Sequence, residues 1–128
     1  MKRKILYVDP QEAEARKLIA ALKELEPDWE FVHASNGLPA LACVGDSAFD
    51  AVIADTDLPD SSGVTLLDQV MATRPKAVRF AISAMRDTNL LLRCLGTAHQ
   101  YLVRPCEADT LRAALRRAFA LELWLPRE

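Results

Sequence analysis

Apolar positions along this chain fall into blocks whose spacing switches between a strand period and a helix period of about 3.6 residues. Lys4 to Val8 (KILYV) is a compact apolar run that ends in Asp9-Pro10 and predicts a first strand. Gln11 to Leu25 follows, with Leu18, Ile19, Leu22 and Leu25 at helical spacing and Pro10 suited to the start of a helix. Pro27-Asp28 breaks that helix, and Trp29 to Ala34 (WEFVHA) predicts a second strand. Ser35-Asn36-Gly37 is a turn, and Leu38 to Val44 predicts a short helix stopped by Gly45. The small and β-branched run Ala51 to Ala54, inside FDAVIADTDLPDSSG, predicts a short buried third strand.

The alternation continues to the end of the chain. Ser62 and Gly63 open a third helix, with Val64, Leu67, Val70 and Met71 on one face, closed before Pro75. Ala77 to Ser83 (AVRFAIS) is a fourth strand, and Ala84 to Asp87 links it to a helix from Thr88 to Leu95. Gly96 to Gln100 leads into a very short fifth strand, Tyr101 to Val103. Arg104-Pro105 turns the chain into a last helix, with Leu111, Leu115, Ala118 and Phe119 on one face. Five strands alternating with five helices predict an α/β fold, a parallel sheet with right-handed crossovers and helices on both faces. Neither a repeat nor a linker interrupts the pattern, so residues 1–128 are expected to form a single domain.

Composition narrows the function classes. A net charge of −2 gives no electrostatic footprint for nucleic acid or an anionic membrane. No apolar run approaches the ~20 residues that span a bilayer, and the N-terminus lacks a signal-peptide core. Cys43, Cys94 and Cys106 are odd in number, widely spaced and without a CxxC pair, which predicts reduced core thiols and a cytoplasmic protein. His33 and His99 have no partner at metal-ligand spacing and read as structural or solvent-facing.

The candidate chemistry stands at the strand ends. Ligands of an open α/β sheet bind in the crevice outside the carboxyl ends of its strands. Asp9 follows strand one, Asp55 strand three, Ser83 strand four and Arg104 strand five. Each is the polar exception to an apolar run, and together they supply two carboxylates, a hydroxyl and a cation. Asp55 is the candidate reactive residue.

ILYVD at Ile5 to Asp9, FDAVIADTDLP with Gly63, FAISA at Phe80 to Ala84 and YLVRP at Tyr101 to Pro105 resemble a bacterial response-regulator receiver domain, over essentially the whole chain. The segment GTAHQYLVRPCE further resembles receivers fused to HDOD or HD-GYP output domains. The resemblance implies a flavodoxin-like (βα)5 doubly wound parallel sheet, strand order 2-1-3-4-5. It implies phosphorelay signalling rather than enzyme turnover, with Asp55 accepting a phosphoryl group from a histidine kinase or phosphotransfer protein. Asp9, Asp55 and the backbone carbonyl of Asp57 would then hold Mg²⁺, and Ser83 would bond a phosphoryl oxygen. Tyr101 would be the switch aromatic, and Arg104 stands in the place of a family lysine whose bond to the following proline is cis.

Two departures bear on that pocket. Pro10 replaces the second member of an acidic pair and offers no carboxylate, which should weaken Mg²⁺ binding. Arg104 carries a planar fork instead of a compact ammonium and is expected to bond Asp55 or Asp9. A second reading is therefore a pseudo-receiver, an interaction module independent of phosphorylation; a third is a flavodoxin-like cofactor binder, disfavoured by the lack of a phosphate loop after strand one. Asp9 and Asp57 also read locally as caps, and Tyr101 as ordinary packing. Leu90, Leu91, Leu92 and Leu95 make the fourth helix apolar beyond one buried face, matching the family's dimer and output surface on the fourth helix, fifth strand and fifth helix. The apolar run Leu121 to Leu125 points toward a missing C-terminal output domain or partner.

Overall fold

The computed structural model describes residues 2–84 and 88–124, with backbone alone for residues 122–124. The expected link through Asp87 and the run ending at Leu125 lie in part outside the described residues. The elements alternate as β1 (Arg3–Val8), α1 (Glu12–Leu25), β2 (Trp29–Ala34), α2 (Gly37–Asp46), β3 (Ala51–Asp55), α3 (Gly63–Thr73), β4 (Val78–Ser83), α4 (Thr88–Cys94), β5 (Gln100–Val103) and α5 (Ala108–Trp124). All strand pairs are parallel, in the order β2-β1-β3-β4-β5. This is the doubly wound flavodoxin-like arrangement that the alternation and the resemblance predict.

Strand geometry sends successive side chains to opposite faces, so each central strand feeds two cores. Ile5 and Tyr7 of β1, Ile53 of β3 and Phe80 and Ile82 of β4 pack with Leu22 of α1 and Leu111 and Leu115 of α5. Leu6 and Val8, Val52 and Ala54, and Ala81 face the other way, onto Val44 of α2 and Leu66, Leu67 and Val70 of α3. Full burial of each such aliphatic side chain is worth about 1.5–3 kcal/mol. Trp29 and Phe119 meet edge to face at 5.6 Å and tie β2 to α5.

α2 runs through Gly45 to Asp46, beyond the expected stop. Gly45 does not adopt a positive φ, and the helix closes instead where the Ser47 N–H bonds the Cys43 carbonyl at 3.0 Å. α4 has one buried residue, Cys94. Leu90 packs against the α2/α3 core, whereas Leu91, Leu92 and Leu95 are 41%, 59% and 69% exposed, the apolar excess read from the sequence. All three cysteines are free thiols. Among the described residues no helix is long and apolar enough to cross a membrane.

Candidate functional site

Parallel pairing brings the carboxyl ends of β1, β3, β4 and β5 to one rim. Asp9 is the first residue past β1, held by its N–H on the Ala34 carbonyl at 3.0 Å, and it is wholly buried. A buried carboxylate needs partners. Asp9 Oδ1 accepts the Gln11 N–H at 2.9 Å, and Oδ2 accepts from Arg104 Nη2 at 2.9 Å. His33 Nε2 lies 2.8 Å from the Asp9 carbonyl oxygen. A carbonyl only accepts, so Nε2 carries the proton and the ring braces the turn.

Asp55 ends β3, opposite Ile82 and one residue short of Ser83 on β4. Its side chain keeps 14% of its surface exposed. Oδ1 accepts the Asp57 N–H at 2.8 Å, and Oδ2 accepts from Arg104 Nη2 at 2.9 Å. One guanidinium nitrogen therefore bridges the two carboxylates. Arg104 is placed by its own N–H, which donates to the Ser83 carbonyl at 2.7 Å, and its bond to Pro105 is cis. Gly63 is required by close approach, because a Cβ there would sit 2.0 Å from the Asp55 carbonyl oxygen.

Asp9, Asp55 and Arg104 are thus in direct contact. Ser83 is buried on the same rim, opposite Val103. Tyr101 lies farther back on β5, half-buried against the α2/α3 core and opposite Ala81. Asp57 is exposed, and what it puts on Asp55 is its amide N–H. Tyr7 is a site residue that the sequence reading missed. Its hydroxyl is buried beside Arg104 and Asp9, and among the described residues none bonds it with ordinary hydrogen-bond geometry. Burial pushes the phenol up to about 12, the positive Arg104 opposing and Asp9 reinforcing the rise. The signal was present in the alternation, since residues two apart on a strand share a face.

Burial also opposes the charge on Arg104, yet Tyr7, Asp55 and Asp9 together hold its pKa above the ordinary value. The guanidinium is a fixed cation. The lining does not fit a divalent ion: Arg104 Nη2 stands between the two Oδ2 atoms, where a second cation would have to lie, and Pro10 adds no carboxylate. Among the described residues no group of three or more His, Cys, Asp or Glu gathers as a metal cluster.

Residues 5–116 match the family profile of the response regulator receiver domain. The chain is 29% identical to the chemotaxis protein CheY of Listeria monocytogenes over 119 residues, 90% of this chain and 97% of that one. It superposes on a CheY-like receiver domain from Methanospirillum hungatei with a TM-score of 0.91 at 20% identity, covering 97% of this chain and 98% of that one. The signal receiver domain of an HD domain-containing protein from Pseudomonas fluorescens gives a TM-score of 0.86 at 25% identity, with 97% and 92% covered. With the 2-1-3-4-5 sheet and the aspartate-lined rim, these matches establish that the chain belongs to the response regulator receiver domain family.

Proposed function

We propose that this receiver takes a phosphoryl group on Asp55 from a histidine kinase or phosphotransfer protein and passes the signal on as a conformational change. The observation that supports this most is Asp55 itself: a strand-end carboxylate, partly open to solvent, with a fixed cation 2.9 Å away. Hydrogen bonding does not disarm the nucleophile, because each carboxylate oxygen has two lone pairs and Oδ1 and Oδ2 accept one described bond apiece. Phosphoryl transfer asks mainly for positioning and charge stabilisation, which Arg104 and the Asp57 N–H supply. In this reading Ser83 bonds a phosphoryl oxygen after transfer and Tyr101 follows that hydroxyl inward. The protein acts as a cytoplasmic signalling domain that assists its own modification.

The exposed leucines of α4 and its end, 91, 92 and 95, form with β5 and α5 the surface for a second copy or an output. The Pseudomonas fluorescens neighbour, from an HD domain-containing protein, supports an output of that kind. A second reading, the phosphorylation-independent pseudo-receiver, draws on Pro10 and on Arg104 occupying both carboxylates. Intact mass after incubation with a small phosphodonor decides between them. The wild type is expected to gain one phosphoryl mass and Asp55→Asn none. An unchanged wild-type mass favours the pseudo-receiver, and a gain that persists in Asp55→Asn moves the acceptor elsewhere.

A further inference from the structure

We infer that the Arg104 guanidinium is the built-in cation of this pocket, so that Asp55 takes up a phosphoryl group without a divalent ion. The inference rests on Asp55 being the acceptor. A metal ion in such a pocket would have to bridge the buried Asp9 and the reactive Asp55. Arg104 Nη2 already does so, 2.9 Å from an Oδ2 atom of each. Mg²⁺ demands near-ideal octahedral oxygen ligands and gives up its water reluctantly. It would meet two carboxylates that already share a cation between their Oδ2 atoms, and a proline, with no carboxylate, at the neighbouring position. To enter, it would also have to expel a cation that its neighbours hold firmly charged.

Without metal the two carboxylates face one guanidinium, which leaves a single net negative charge in the pocket. In the transfer, a lone pair of an Asp55 oxygen forms the O–P bond. With an acyl phosphate as donor, the P–O bond to the acyl group breaks, the carboxylate leaves with the electron pair, and no proton moves. Negative charge gathers on the phosphoryl oxygens beside Arg104, whose Nη1 and Nε carry further N–H donors. The guanidinium is already placed, so stabilising that charge requires no ion to arrive.

The test has two arms. Phosphorylation by acetyl phosphate is followed by intact mass in EDTA and in millimolar MgCl₂, with Asp55→Asn as the blank. Mg²⁺ binding to the unphosphorylated protein is measured by titration calorimetry for the wild type and for Pro10→Asp/Arg104→Lys. Wild-type rates are expected to agree within about twofold between the two buffers. The double variant, which regains an acid and a compact cation, is expected to bind Mg²⁺ at least about tenfold more tightly than the wild type. Wild-type phosphorylation confined to the Mg²⁺ buffer overturns the inference and leaves Asp55 as acceptor. Wild-type Mg²⁺ affinity equal to that of the double variant also overturns it. No mass gain in either buffer overturns the acceptor reading, and this inference with it. If the double variant does not fold, Pro10→Asp alone is titrated against the same criterion.

Discussion

Tyr7 sits in a strand whose neighbours Ile5, Leu6 and Val8 are wholly apolar, and among the described residues its hydroxyl has no partner at ordinary hydrogen-bond geometry. Leaving a buried hydroxyl unpaired costs about 1–3 kcal/mol, so Tyr7→Phe is expected to keep or raise the unfolding temperature. A clear drop in a thermal melt would show that the hydroxyl is bonded in solution, for instance through a water to Arg104 or Asp9. The same residue makes an alkaline prediction. The folded phenol holds its proton to about 12, against 10.0 for the ordinary group. A group whose folded pKa is raised contributes stability that is complete below the unfolded value and lost as pH rises through the folded one. The wild type should therefore lose stability relative to Tyr7→Phe between pH 10.0 and about 12, and denaturant titrations across that window measure the difference.

Among the elements, α2 depends on a residue far from it in sequence. Asn36 at its N-cap makes no side-chain cap bond. The first amides are taken by Asp60 from the loop before α3: Gly37 N–H at 2.8 Å and Leu38 N–H at 2.9 Å. Those bonds, that from Leu38 foremost, hold the Asp60 carboxyl below its ordinary value of 3.8. Asp60→Ala is expected to lower the unfolding temperature at neutral pH. Because the folded pKa is depressed, that advantage of the wild type is present above the ordinary carboxylate range and lost as pH falls below it. A gap between wild type and variant that stays constant into acid would show that the charge plays no part. Gly63→Ala tests the adjoining contact and is expected to cost about 1–3 kcal/mol of stability, since the added methyl strikes the β3 backbone. Each strand and helix was legible in the sequence because its own residues carry its period. The Asp60 cap and the His33 brace were not, because each joins residues 22 or more apart whose meeting depends on how the elements dock. Strand-end polarity disclosed Asp9, Asp55, Ser83 and Arg104, whereas Tyr7 was hidden by its apolar company.

Across the whole molecule, anchoring is uneven. β1, β3 and β4 are flanked by strands on both sides, and their side chains fill both cores. α3 buries five residues, whereas α4 buries Cys94 alone and leaves Leu91 and Leu92 exposed. Local opening is easiest where few apolar contacts hold an element down. In native-state hydrogen exchange at low protein concentration, amides of α4 are therefore expected to exchange well ahead of those of α3, and the central strands last of all. The same leucines give the measurement a second use. If they dock on a second copy or an output, protection of α4 should rise with protein concentration, or with the partner present, while α3 changes little. Replacing Leu92 and Leu95 by Asp should abolish that rise without altering the exchange of the sheet, because both side chains are already exposed in the single chain. An α4 that exchanges as slowly as α3 even when dilute would contradict the anchoring argument, which rests on α4 burying one residue where α3 buries five.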